Sequence, residues 1–187
     1  MDDAALLTRA SAGDEAAFSQ LFTRFQRSIY LYAERVCGCG SGDDIVQETF
    51  LAVLRPSGRF DPGKGTVPGY LFGIARHHMI KRLARQGATL AEPPEVVAAD
   101  AISPQETPID TIARERTIDL VRQAVRSLPP AYREVVALCD LQEMDYAMVA
   151  HVIQCPIGTV RSRLHRARAL LLRKLACTST TTILKAR

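Results

Sequence analysis

The chain has 187 residues, room for one ordinary domain or two small ones, and a composition 47% hydrophobic and 24% charged that belongs to a folded globular protein. No run is long and apolar enough to span a bilayer, and Met1-Asp2-Asp3 is acidic where a signal peptide is basic, so a cytoplasmic protein is expected. Net charge is only +4, but it is unevenly spread, and five cysteines make an odd set that fits a reducing compartment better than a disulfide framework.

From about Ala4 to Gln86 the pattern is helical, punctuated at Gly38 to Gly42 and at Arg55 to Pro68, and strand-like alternation is not sustained anywhere. Ser41-Gly42-Asp43-Asp44 supplies a cap and acidic first-turn residues for a helix from Asp44 to Leu54. Val46, Phe50, Val53 and Leu54 form its apolar face. The opposite face collects Asp44, Gln47, Glu48 and Leu51, which suits docking on a helix of another protein and equally fits a solvated surface with one incidental leucine.

A glycine-rich loop follows, carrying Arg59, Phe60 and Lys64, and leads into a helix of roughly 18 residues. Leu71, Phe72, Ala75, Met79 and Leu83 fall on its inner side, while Tyr70, His77 and Lys81 fall outside. An aromatic ring and cations on one face match single-stranded nucleic acid, whose bases stack and whose phosphates pair with positive charge.

Between Gln86 and Ala113 there are five acids and no Lys or Arg, with Pro93, Pro94, Pro104 and Pro108 among them. This reads as an extended acidic linker without a core. Helical pattern returns at Arg114. A helix carrying Tyr132, Val135, Val136 and Cys139 inward begins after Leu128-Pro129-Pro130, and Tyr146, Val149, Ala150 and Ile153 form the apolar stripe of a short one.

The turn Gln154-Cys155-Pro156 then opens into a helix with Val160, Leu164, Ala167 and Leu171 inward. Ser162, His165 and Arg166 lie farthest from that line, flanked by Arg161 and Arg163. From Thr159 to Lys174 there are six Lys or Arg and no carboxylate, so the outer face can meet phosphates and base edges. The whole is a helix-turn-helix pattern. The turn of a helix-turn-helix usually offers Gly where this chain has Gln154, and Gln occupies it with some strain if the backbone is left-handed there. The Thr-rich run after Cys177 is expected to be poorly ordered.

Cys37, Cys39 and Cys177 are the thiols expected to be most exposed and hence the candidates for metal or redox sensing, but no second Cys-x-x-Cys pair completes a zinc ligand set. No metal and no cofactor is expected. Neither a phosphate-binding glycine loop nor a nucleophile motif is present, which argues against an enzyme. A free-standing two-domain DNA-binding regulator stays open as an alternative, although it leaves the Asp44 to Leu54 face without a use.

Taken in order, Asp43-Asp44-Ile45-Val46-Gln47-Glu48-Thr49-Phe50-Leu51, Arg59-Phe60-Asp61-Pro62, Leu71-Phe72-Gly73-Ile74-Ala75-Arg76, Leu128-Pro129 and Cys155 to Leu164 resemble a bacterial RNA polymerase sigma factor of the extracytoplasmic-function (ECF) group. The resemblance runs from about Leu6 to Leu175. It implies an all-α chain: a σ2 helical bundle at 1–86, an acidic linker at 87–113, a σ4 helix-turn-helix domain at 114–176 and a disordered tail at 177–187.

It also implies roles. Asp44, Gln47, Glu48 and Leu51 would bind core polymerase at the β′ clamp helices. Phe60, Lys64, Tyr70, His77 and Lys81 would recognise and melt the −10 element. Arg161, Ser162, His165 and Arg166 would read the −35 element, with σ4 also touching the β flap and the linker entering the RNA exit channel. An anti-sigma factor is an implied partner beside core polymerase and promoter DNA. Tyr70 and His77 stand where family members often carry Trp and Asn, and Ala147-Met148 where a Glu pair is usual.

Overall fold

The computed structural model describes residues 2–55, 60–63, 65–90 and 111–185, with side chains of the last stretch described from 118 to 176. Among these residues the structure is entirely helical: α1 (Asp3–Ser11), α2 (Glu15–Cys37), α3 (Gly42–Val53), α4 (Val67–Arg85), α5 (Thr111–Arg126), α6 (Pro130–Cys139), α7 (Tyr146–Ile153) and α8 (Ile157–Lys185). None of these helices is long and apolar enough to cross a membrane.

Helices α1 to α4 form the first unit, with α2 running through its centre against α1, α3 and α4. Leu21, Ile29, Tyr32, Ala33 and Val36 recur at helical spacing on α2 and are fully buried, as are Leu71, Ala75 and Met79 on α4. Burying one such Leu or Ile contributes about 1.5–3 kcal/mol, so the inward stripes hold this bundle. The inward face expected for α4 is the one observed.

Two features of α3 differ from the sequence reading. Ser41 occupies the N-cap but makes no side-chain cap. Instead Glu34 of α2 reaches over, and its Oε1 accepts from the Ser41 and Gly42 amides, each at 2.8 Å. A carboxylate there satisfies two orphan N–H groups and meets the positive end of the helix dipole. At the other end Leu54, expected inside, is 44% exposed because it lies one residue past the last helical turn.

Helices α5 to α8 form the second unit. Leu128, Tyr132, Val135, Leu138, Val149, Val160, Leu164 and Ala167 are among its buried residues. Asp145 caps α7 by accepting from the Met148 amide at 2.7 Å. Gln154 adopts φ 54°, ψ 51°, the left-handed backbone at which Gln is strained. The stripe on α7 is rotated from the expected one: Val152 is buried, whereas Tyr146 is exposed and Ala150 half-buried.

Helix α8 continues to Lys185, where a poorly ordered tail was expected from residue 177. The reason is visible in the sequence. No Gly or Pro occurs between Thr159 and Arg187, so nothing stops the helix. The greater part of the acidic linker, residues 91–110, lies outside the described residues. The two units also pack on each other, α2 against α6 and α4 against α7, and share one apolar core.

Candidate nucleic-acid and polymerase interfaces

The outer side of α3 is built over aromatic rings. Phe22 and Phe50 lie 4.9 Å apart between centroids, and Phe18 meets Phe50 edge-on at 5.8 Å. Above them Leu51 is 43% exposed beside Leu54, and together with Gln47 and Arg27 they line an open groove. Asp43 lines it as well, whereas Asp44 and Glu48, also exposed on α3, are turned toward α4 and are not among its lining residues. An apolar floor edged by polar side chains is the kind of surface on which a helix can be seated.

Asp44 and Glu48 have partners that the sequence did not reveal. Arg82 Nη1 donates to Asp44 Oδ2 at 2.8 Å, and His78 Nδ1 lies 3.8 Å from Glu48 Oε2. Burial holds the His78 imidazole below its usual pKa, and the Glu48 carboxylate opposes that shift. Exposed pairs of this kind are worth roughly 0–1 kcal/mol, so a protein partner can exchange them at little cost.

On α4 the Thr66 hydroxyl accepts from the Gly69 amide at 3.2 Å and starts the helix. That start fixes Tyr70 against Phe60, 5.5 Å between ring centroids, and leaves His77 and Lys81 exposed along the same side. Tyr70 is half-buried, and burial raises its phenol pKa. Lys64 falls outside the described residues. The structure therefore brings Phe60 against Tyr70, and Tyr70, His77 and Lys81 line one wall of an open groove whose other wall includes His151, Gln154 and Cys155.

In the helix-turn-helix, Arg161, Ser162 and His165 are exposed on one side of α8, and Arg166 is half-buried. Arg161 sits over the Tyr146 ring, 5.8 Å from its centroid, which orients the guanidinium across α7 and α8. The exposed Ser162 hydroxyl donates to the Thr159 carbonyl at 3.1 Å. Residues 157–176 contain no carboxylate, so this side carries positive potential suited to DNA.

Sequence periodicity missed a buried acid. Glu134 is fully buried on α6; its Oε1 accepts from Arg76 Nε at 2.8 Å and from the Tyr32 hydroxyl at 3.0 Å. Burial pushes its carboxyl above the usual range, and the Arg76 guanidinium draws it partway back.

Cys37 is half-buried, contrary to its place among the most exposed thiols, because α2 carries it against the core; Cys39 is exposed. Burial pushes both Cys37 and Cys139 up to about 11, away from thiolate chemistry. The Cys177 side chain lies outside the described residues. Among the described residues no three His, Cys, Asp or Glu converge on a metal position.

Residues 21–89 match the model of sigma-70 region 2, and residues 118–171 match that of sigma-70 region 4. The RNA polymerase sigma-H factor of Pseudomonas aeruginosa is 32% identical over 174 residues, covering 89% of this chain and 90% of the relative. The ECF RNA polymerase sigma-E factor of Salmonella typhimurium is 29% identical over 175 residues, covering 90% and 91%. Among solved structures, CnrH in complex with the cytosolic domain of CnrY superposes with a TM-score of 0.67 at 26% identity, covering 94% of this chain and 97% of that one. The sigma factor RpoE of Bartonella quintana, in complex with the anti-sigma factor NepR, has the same fold with a TM-score of 0.63 at 22% identity, covering 85% and 96%. With two matched regions in family order on an all-helical chain, the protein belongs to the ECF group of the sigma-70 family, transcription initiation factors that serve core RNA polymerase and promoter DNA.

Proposed function

We propose that the three surfaces divide the work of a sigma factor as follows. The α3 face, with Leu51 at its centre and Asp44, Gln47 and Glu48 at its rim, seats the β′ clamp helices of core polymerase. Phe60, Lys64, Tyr70, His77 and Lys81 engage the −10 element and stack or pair with the unwound strand. Arg161, Ser162, His165 and Arg166 enter the major groove at the −35 element, with the second unit resting on the β flap. Action in the cytoplasm follows from that work.

The observation that supports this reading best is the grouping of Arg161, Ser162 and His165, exposed together on a helix segment free of carboxylates. Cations there meet phosphates, and short polar tips reach base edges. Each unit binds its element weakly alone. Polymerase raises the effective concentration of the second by fixing their separation.

An anti-sigma factor is the proposed regulator, in line with the complex in which the Bartonella quintana sigma factor was solved. It would cover the α3 groove and compete with core polymerase. Footprinting of the reconstituted holoenzyme on a dependent promoter tests the assignment: protection at both elements is expected, and protection confined to one of them contradicts it.

A further inference from the structure

Cations on a DNA-facing helix serve two ends: a phosphate contact adds affinity for any sequence, whereas a base-edge contact adds discrimination. Arg161, His165 and Arg168 fall at i, i+4 and i+7 of α8 and so share one stripe. With Tyr146, the first residue of α7, they line an open hollow between the two helices of the helix-turn-helix. Both arginines are exposed, and α8 itself offers them no carboxylate. What each one does on DNA is therefore set by groups on other helices.

Those groups treat the two arginines differently. The Arg161 guanidinium lies over the Tyr146 ring, 5.8 Å from its centroid, and among the described residues it has no carboxylate or carbonyl partner. A ring takes the face of the planar guanidinium and leaves the N–H donors at its edge unspent. Arg168 is held by its donors instead: Nη2 and Nε donate to the two oxygens of Asp140 at 2.5 and 3.2 Å. That fork consumes the donors and neutralises the charge. Asp140 is the C-cap of α6, where a carboxylate meets the negative end of the helix dipole and does α6 no service, so its use lies in the cation it holds. Tyr146 also acts electrostatically on Arg168, and the Asp140 fork leaves the ring to Arg161.

We infer that Tyr146 and Asp140 sort the arginines of the −35 face: the Tyr146 ring holds Arg161 in position to read a base edge, and the Asp140 carboxylate withholds Arg168 from the phosphates. This rests on the sigma-factor reading of α8. An exposed arginine has a long flexible stem, and a fork that must meet two base-edge acceptors together gains when its rotamers are restricted beforehand. An exposed cation–π contact supplies a factor of about two to five toward that restriction. Tyr146 is thus a positioning residue acting through Arg161, while Asp140 limits the part of binding that is blind to sequence.

The test uses holoenzyme reconstituted with the full chain, a dependent promoter and that promoter's single substitutions across the −35 element, with binding titrated against salt. Tyr146→Ala is expected to lower discrimination between the promoter and its substituted set by about two- to fivefold at an unchanged salt slope. Tyr146→Phe keeps the ring and is expected to match wild type. In an Arg161→Ala background Tyr146→Ala should have no further effect. A Phe variant that behaves like the Ala variant assigns the effect to the hydroxyl, and losses that add in the double variant make the two residues independent. Either result overturns the positioning role and leaves the sigma-factor reading standing. Arg161→Ala without effect on any promoter of the set overturns the −35 assignment and this inference together.

The withheld arginine is tested on the same promoters. Arg168→Ala is expected to leave the salt slope unchanged, whereas Asp140→Asn should steepen it by about one and raise affinity for all members of the set alike. Adding Arg168→Ala to Asp140→Asn should return the slope to the wild-type value. A slope that falls with Arg168→Ala alone, or that stays fixed with Asp140→Asn, overturns the withholding. Urea unfolding of each variant provides the control, so that binding is compared between equally folded chains.

Discussion

Glu34 holds the first turn of α3 in place by accepting from the Gly42 amide at 2.8 Å, a bond that ties the central helix of the first unit to the helix proposed to meet polymerase. The same oxygen also accepts from the Ser41 amide. Glu34→Ala removes this cap and is expected to cost about 1 kcal/mol, within the range for lost N-caps. Glu34→Gln keeps an acceptor and loses less. Urea unfolding followed by circular dichroism gives both numbers.

Gly42 answers a second demand. A Cβ there would lie 2.3 Å from Cδ2 of Tyr30, so any side chain must displace the ring. Gly42→Val is expected to destabilise the first unit by about 1–3 kcal/mol, as overpacking does. Combining it with Tyr30→Ala opens the space and should recover part of that loss. Equal stability of Gly42→Val and wild type contradicts the close approach.

The α3 face should separate binding from folding. Leu51 is 43% exposed and Glu48 is exposed, so Glu48→Lys with Leu51→Ala leaves the unfolding free energy within about 0.5 kcal/mol of wild type. Core affinity should fall at least about tenfold, because an apolar anchor at the centre of an interface carries much of its energy. Fluorescence anisotropy with core polymerase measures it. Wild-type affinity would remove this face from the account.

At the other end of the molecule, Arg161→Ala should weaken holoenzyme binding at the −35 element by about 1–3 kcal/mol if the guanidinium reads a base, and should lower the salt slope by about one if it meets a phosphate. A titration against salt distinguishes the two contacts. Unchanged affinity and slope together contradict a DNA role for Arg161.

The thiols should react in an order set by burial. Cys37 and Cys139 are raised to about 11, so at pH 8 only about a thousandth of each is thiolate, and their alkylation should speed up about tenfold per pH unit up to that value. Cys39, exposed at the α2–α3 turn, should label well ahead of them. Peptide-resolved mass spectrometry after timed alkylation reads each site.

Much of this architecture was legible where a residue's role depends on its own helix. Val160, Leu164 and Ala167 announced the inner side of α8 by spacing alone, and Leu71, Phe72, Ala75, Met79 and Leu83 did so for α4. Gln154 was legible as a turn because Cys155-Pro156 follows it. Contacts between distant segments were not. Glu134 lies among apolar neighbours on α6, and only Tyr32 and Arg76, 102 and 58 residues away in sequence, explain an acid there. Glu34 likewise has nothing on its own helix to mark it as the residue that accepts from the Ser41 and Gly42 amides. Tyr146 was misread because an aromatic at a stripe position packs inward or, as here, lies under a cation at the surface.

The central claim is that this chain initiates transcription only as part of polymerase, through two DNA surfaces acting together. Its most direct measurement is run-off transcription from a genomic promoter library with purified core polymerase, with and without the chain. The account predicts a stable complex with core and transcripts whose start sites share one pair of upstream elements. No complex with core, together with sequence-specific binding of the free chain to the same promoters, would contradict it.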